Sequence, residues 1–83
     1  MRQIDLDRES NTATINLNTS FYPLHILQQS SLEFKKIASF GITKDGNRAL
    51  VKISPKGRHS AEQTALHFCN FALALKRELG EHA

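Results

Sequence analysis

Apolar and polar residues alternate along residues 12–18, TATINLN, where threonine and asparagine separate Ala13, Ile15 and Leu17. A period of two is typical of a strand with one buried and one exposed face. The period then changes to the spacing of a helix, which the apolar and small residues Leu24, Leu27, Ser31, Phe34 and Ala38 follow. The pattern predicts a strand over 12–18 and a helix from about Phe21 to Ile37.

The pair Asp45-Gly46 separates two further alternating segments. An Asp-Gly pair supplies the positive φ angles that a two-residue hairpin turn requires. The sequence therefore predicts a hairpin, with Leu50 as the only large apolar residue on its polar face. Its apolar face is predicted to contain Phe40, Ile42, Ala49, Val51 and Ile53.

A capping box marks the start of the last element, because Gln63 follows Ser60 by three residues. Lys76 and Arg77 precede Gly80, as is typical of a helix end. The predicted core stripe of this helix is Ala61, Ala65, Phe68, Ala72, Leu75 and Leu79. Leu66 and Leu73 widen the stripe, and we expect them to cover the first helix or a second copy of the chain.

These elements predict an α+β fold, a two-layer β-α-β-β-α domain with both helices on one face of a small mixed sheet. Residues 1–83 form one domain, in which 1–11 are either an extra edge strand, because QIDLD also alternates, or a loose arm. A chain of 83 residues buries little surface, so we expect it to form a homo-oligomer, such as a homodimer.

Composition indicates a cytoplasmic protein with no membrane partner. The sequence is 40% hydrophobic and contains one cysteine, Cys69, and no apolar run of membrane-spanning length. Acidic residues near the N-terminus stand where a secretory signal needs an apolar segment.

The net charge of +3 is concentrated in one part of the chain. Residues 35–58 contain seven lysines and arginines and a single acid, Asp45. Lysines commonly protect exposed strand edges, which is one interpretation of the basic hairpin residues Lys44 and Arg48. The other interpretation is a positive surface for an acidic partner.

The sequence favours a binding protein over an enzyme. His67 and Cys69 are two residues apart, which puts them about 200° apart around a helix, so they do not reach one atom. Cys69 is instead predicted to be a core residue. Asp5 and Asp7 share one face of a strand, and the two interpretations are a cation or acid/base site and a row of carboxylates that faces water. The second is favoured, because such a site needs further ligands that the sequence does not supply. Because no zinc, phosphate-loop, dinucleotide or nucleophile motif occurs, we expect no catalytic site, no metal and no cofactor.

The segment ISPKGRHSAEQ, residues 53–63, is the candidate anion site. A helix N-terminus offers unpaired N–H groups, and glycine lets the backbone approach a phosphate or carboxylate. The candidate ligands are Lys52, Lys56, Gly57, Arg58 and Ser60. The alternative is a turn followed by a cap. RNA bases would lack a stacking surface, because Phe40 is predicted to point inward.

A polar stripe runs along the last helix opposite its core face and consists of Gln63, His67, Asn70 and Arg77. The amide of Asn70 can pair with the backbone of a partner. The alternatives are that the stripe is only solvated, or that a peptide is captured at an open sheet edge.

The segments INLNTSFYPLHILQQSSLEF, ISPKG and HFCNFALALKREL resemble HxsD, the small D protein of the His-Xaa-Ser peptide-modification system, over about residues 13–79. The matching positions are Tyr22, Ile26, Leu27, Phe68, Asn70, Leu73 and Arg77. This resemblance implies a non-catalytic companion of radical-SAM maturases that act on a short peptide.

The sequence thus predicts an accessory protein that acts through protein or short-peptide contacts. The alternative is a nucleic-acid or phosphate-binding module that uses the basic hairpin and the loop before the last helix.

Overall fold

The computed structural model describes residues 3–79, which form four strands and two helices. In chain order these are β1 (Gln3–Asp7), β2 (Thr12–Asn18), α1 (Leu24–Glu33), β3 (Ala38–Asp45), β4 (Arg48–Pro55) and α2 (Ala61–Glu78). The segment QIDLD forms β1, so the first of its two predicted alternatives, an edge strand, is the correct one.

The four strands form one sheet in the order β1-β2-β4-β3, and the predicted α+β class is confirmed. Each neighbouring pair of strands in residues 3–79 is antiparallel. The predicted mixed sheet is therefore wrong. The physical reason is the position of β4. It lies between β2 and β3, which run parallel to each other across α1 but do not pair.

One face of the sheet is buried and carries both helices, as predicted. The alternating residues of β2 and β4 are fully buried in the core together with residues of α1 and α2. The buried sheet residues are Ala13, Ile15, Leu17, Ala38, Ala49, Val51 and Ile53. Leu50 lies on the opposite face and is exposed, also as predicted.

Helix α1 is shorter than the predicted segment Phe21–Ile37. Pro23 precedes it with an extended ψ of 144°, and the helix ends at Glu33. The N–H groups of Ile37 and Ala38 both donate to the carbonyl of Phe34, at 3.0 and 3.1 Å, which forms a tight turn instead of a further helical turn. The buried face also differs, since it consists of Ile26, Leu27 and Ser30.

The hairpin turn lies one residue later than predicted. Asp45 pairs with Arg48, so Gly46 and Asn47 form the two-residue loop. Gly46 has a φ of 60°, which a first loop position of this kind requires and which glycine adopts without steric cost. The predicted faces of both strands are nevertheless correct, because Phe40 pairs with Ile53 and Ile42 with Val51 on the buried side.

Helix α2 begins as predicted, because the Ser60 side chain accepts a hydrogen bond from the Gln63 N–H at 3.3 Å. Its predicted stripe is buried from Ala61 to Ala72, and Cys69 is buried as well. Leu79 was predicted to be in the core but is 52% exposed, because it is the C-cap that follows Glu78 and is not part of the helical stripe.

Candidate functional site

Four phenylalanines cluster at one end of the domain. The Phe34 ring packs edge-on against the rings of Phe40, Phe68 and Phe71, with centroid distances of 6.4, 6.2 and 5.6 Å. Phe40 and Phe68 are stacked at 5.1 Å. The cluster ties the turn after α1, which continues into Lys35 and Lys36, to the sheet and to α2.

Lys56 also holds this turn. Its N–H donates to the Ile37 carbonyl at 2.8 Å, and its ammonium donates to the Lys35 carbonyl at 3.1 Å. Lys56 is exposed and was predicted to be an anion ligand. One of its three ammonium donors therefore has a structural role, and two donors remain for a ligand.

An open groove of about 570 Å³ lies between the end of α1 and the start of β3. It contains three lysines and the exposed side chain of Leu32, which is 64% exposed. The lining residues are Ser31, Leu32, Lys35, Lys36, Ala38, Ser39, Phe40 and Lys56. Of these, sequence reasoning selected only Lys56 as a site residue, although the charged pair Lys35-Lys36 was a visible signal.

β3 forms one edge of the sheet in residues 3–79. Residues that flank a two-residue loop exchange both hydrogen bonds, and such pairs then alternate with non-bonded pairs along an antiparallel ladder. Counting from Asp45 and Arg48, the backbone groups of Phe40, Ile42 and Lys44 point away from β4. The hydrogen bond from the Lys56 N–H to the Ile37 carbonyl fits this alternation, because these two residues follow Ser39 and Ser54 as the next expected hydrogen-bonded pair.

A second pocket of about 360 Å³ lies at the N-terminus of α2. It brings together residues from two predicted sites, namely Arg58 and Ser60 from the anion site and Gln63 and His67 from the polar stripe. Its other lining residues are Phe34, Ile37, His59 and Thr64. Asn70 and Arg77 are exposed on α2 but do not line this pocket.

The remaining predicted basic residues lie elsewhere. Lys52 and Arg48 are exposed on the outer face of the sheet, whereas α2 packs on the inner face. The guanidinium of Arg48 donates to the Asn16 side chain at 3.2 Å. Gly57 has a φ of 63°, so it serves the turn before α2. The structure therefore does not assemble the five predicted anion ligands into one site.

Two backbone donors at the N-terminus of α2 are already occupied. The N–H of Ala61 donates to the Asn11 carboxamide oxygen at 3.0 Å, and that of Gln63 donates to the Ser60 side chain. A helix leaves its first N–H groups without intrahelical partners, and these are the groups that would hold an anion. Fewer donors are thus available for an anion than the sequence suggested.

Asp5 and Asp7 lie two residues apart on β1, and in residues 3–79 they are not part of a group of three potential metal ligands. Asp5 and Asp7 are both exposed on β1, as predicted. Hydrogen bonds from Ser10, and then from the Glu9 N–H, hold the pKa of Asp7 below its ordinary value. Within residues 3–79, no three histidine, cysteine, aspartate or glutamate side chains lie close enough to hold a metal ion.

The residues that carry the resemblance to HxsD are mostly core residues. Tyr22, Ile26, Leu27 and Phe68 are buried, and Leu73 packs against the core. A domain of this architecture needs apolar residues at such positions for packing alone. Only Asn70 and Arg77 of the matching set are exposed and able to meet a partner.

Comparison with known proteins finds no family model, curated protein or solved structure that matches this chain. Neither helix in the described part of the chain has both the length and the apolar character needed to cross a membrane.

Proposed function

We propose that this chain is a non-catalytic accessory domain that captures an extended segment of a protein or peptide along the open edge of β3. The observation that carries the proposal is the outward direction of the Phe40, Ile42 and Lys44 backbone groups, next to an open groove. A strand added to such an edge gains affinity from main-chain hydrogen bonds. In this proposal the domain works in the cytoplasm, beside an enzyme that modifies peptides.

The composition of β3 supports capture at this edge. Natural proteins commonly protect an edge strand with proline, inward charges or short length. β3 is eight residues long, contains no proline, and is uncharged from Ala38 to Thr43. Lys44 and Asp45 place charge only at the hairpin end.

The polar stripe on α2 is the weaker candidate for peptide capture. Gln63, His67, Asn70 and Arg77 are all exposed, but the backbone of a helix interior is already paired within the helix. The stripe therefore offers side-chain contacts alone, whereas the β3 edge offers unpaired backbone donors and acceptors.

The proposal is tested with capped, fluorescein-labelled decapeptides in which pairs of valines alternate with pairs of glutamates, serines or lysines, so that each face of an added strand carries both kinds of residue. Lys44→Pro removes one outward N–H and blocks the edge, and it leaves the ladder to β4 intact because that N–H does not point to β4. Lys44→Ala is the matched control for the charge. We expect Lys44→Pro to weaken binding of the tightest probe at least five-fold and Lys44→Ala to weaken it less than two-fold.

Urea denaturation of both variants verifies that they remain folded. The proposal is wrong if none of the three decapeptides binds at millimolar concentration, or if the two variants bind equally well. Mass measurement by light scattering during the titration shows whether a second copy of the chain occupies the edge instead.

A second candidate function is binding of a phosphate group or of a nucleic-acid backbone. The pocket at the start of α2 favours it, because Arg58, His59 and His67 line one cavity. Binding of a 20-mer oligothymidylate should then be tight and fall steeply with salt, and Arg58→Ala should weaken it while Arg77→Ala does not. Weak binding that is the same in both variants would remove this candidate.

A further inference from the structure

We infer that the segment captured along β3 is acidic, with carboxylates over the lysine-lined groove and an aliphatic side chain against Phe40 and Leu32. This inference rests on the proposed function and specifies the chemistry of the partner. The acidic segment belongs to another protein or peptide.

The groove is positively charged. Three of its eight lining residues are lysines and none is acidic. Lys35 and Lys36 are adjacent in the turn after α1, and the hydrogen bond from the Lys56 ammonium to the Lys35 carbonyl keeps the third charge beside them. Three positive charges in one groove attract a segment with several carboxylates and repel a basic one.

The groove also has an apolar part, formed by Leu32 and Phe40. Leu32 is 64% exposed, the largest exposed fraction among the large apolar side chains in residues 3–79. Phe40 is partly buried and lines the same groove. Side chains of an added strand alternate between the two faces of the sheet, so every second residue of the ligand would face the helix layer. An aliphatic residue at that position would cover Leu32 and Phe40.

Nucleic acid fits this groove less well than a peptide does. One face of the Phe40 ring is stacked on Phe68, and the Phe34 ring lies nearly perpendicular to it at 6.4 Å, so Phe40 is a poorer stacking surface for a base than a ring exposed on the open sheet face would be. The edge of β3 also presents carbonyl acceptors as well as N–H donors. A phosphate backbone has no donors for those carbonyls, whereas a peptide strand supplies both groups.

The test measures the affinities of the glutamate, serine and lysine decapeptides by fluorescence anisotropy. We expect the glutamate probe to bind about ten-fold more tightly than the serine probe, and the lysine probe to bind most weakly. Raising the salt concentration to 1 M should remove most of this preference, because it screens exposed charges.

The double variant Lys35→Gln, Lys36→Gln removes two of the three charges from exposed positions. We expect it to reduce the preference for glutamate over serine to about three-fold or less, with the affinity for the serine probe unchanged. Arg77→Gln removes an exposed charge in the last turn of α2, which does not line the groove. We expect this variant to keep the preference for glutamate over serine. It also tests whether the polar stripe takes part.

Equal affinity for the glutamate and serine probes would overturn the inference but leave the proposed function standing, provided that Lys44→Pro still weakens both. A loss of preference in Arg77→Gln equal to that in the double variant would also overturn it, as would oligothymidylate binding more tightly than the glutamate probe. If no decapeptide binds, the proposed function and the inference fail together.

Discussion

The side chain of Asn11 caps α2 from the opposite end of the sequence, since its carboxamide oxygen accepts the Ala61 N–H at 3.0 Å. The amide of the same side chain donates to the His59 carbonyl at 2.9 Å. Asn11 has a φ of 51°, a left-handed conformation that asparagine tolerates better than most residues. The turn between β1 and β2 is thereby fastened to the loop that begins α2.

Replacement of Asn11 should destabilise the whole domain. Asn11→Ala removes both hydrogen bonds and puts a strained residue at positive φ, so we expect the free energy of unfolding to fall by about 2 kcal/mol. Asn11→Gly removes the bonds without strain and should cost about 1 kcal/mol. Urea denaturation measures both, and equal stability of the alanine variant and the original chain would contradict the account.

Lys76 should contribute to stability through its contact with Phe21. It is 6% exposed, its ammonium donates to the Phe21 carbonyl at 2.7 Å, and it lies 4.0 Å from the centre of the Phe21 ring. Lys76→Met keeps the apolar stem but loses these contacts, and we expect a loss of about 2 kcal/mol in the free energy of unfolding.

Arg77→Met is the matched control for Lys76→Met, because Arg77 is exposed and lies in the same last turn. Any effect of removing a positive charge near the helix end appears in both variants. We expect the control to change stability by less than about 0.5 kcal/mol. Similar losses in the two variants would show that the contact with Phe21 does not stabilise the fold.

Asp7 should titrate below its ordinary pKa of 3.8 in the folded chain, because Ser10 and the Glu9 N–H donate hydrogen bonds to it and Lys52 is positively charged. A folded-state pKa below the unfolded one means that the stabilisation is present above pH 3.8 and is lost as pH falls through the folded value. Carboxyl carbon chemical shifts measured against pH report this pKa. Ser10→Ala should raise it only partway, because the backbone donors remain.

Gly46 and Gly41 should respond differently to alanine. Gly46 has a φ of 60° in the hairpin loop, so Gly46→Ala should cost about 1 to 2 kcal/mol. At Gly41 an added methyl group meets nothing within 4 Å, and we expect Gly41→Ala to leave stability within about 0.5 kcal/mol. Urea denaturation measures the midpoints of the two alanine variants. Equal midpoints would contradict the turn geometry.

The sequence predicted those features whose causes are local. The Ser60 cap lies three residues from Gln63, and the alternation in β2 directly reports its buried face. The cap from Asn11 has no local signature, because its partner is 50 residues away. The end of α1 was misplaced for a similar reason, since the contacts of Phe34 with distant rings fix that turn.

The positive charge of the candidate site was predictable from the sequence, but the position of the site in the fold was not. The bases of residues 35–58 were visible in the sequence, but the structure distributes them over the groove, the pocket at α2 and the outer sheet face. Lys35 and Lys36 precede β3 directly in the sequence, but the groove also contains Leu32 and Lys56, which the turn after Phe34 and the hydrogen bonds of Lys56 bring beside them. Their site therefore depends on tertiary contacts that a linear pattern does not contain.

Residue-resolved amide hydrogen exchange tests the central claim, the open edge of β3, most directly. In the chain alone, the amides of Phe40 and Ile42 should exchange rapidly, while that of Thr43, which faces β4, is protected. Saturation with the glutamate decapeptide should slow exchange at Phe40 and Ile42 at least ten-fold and leave β1 unchanged. Protection of these two amides before the peptide is added, or new protection confined to α2 or β1, would contradict the account.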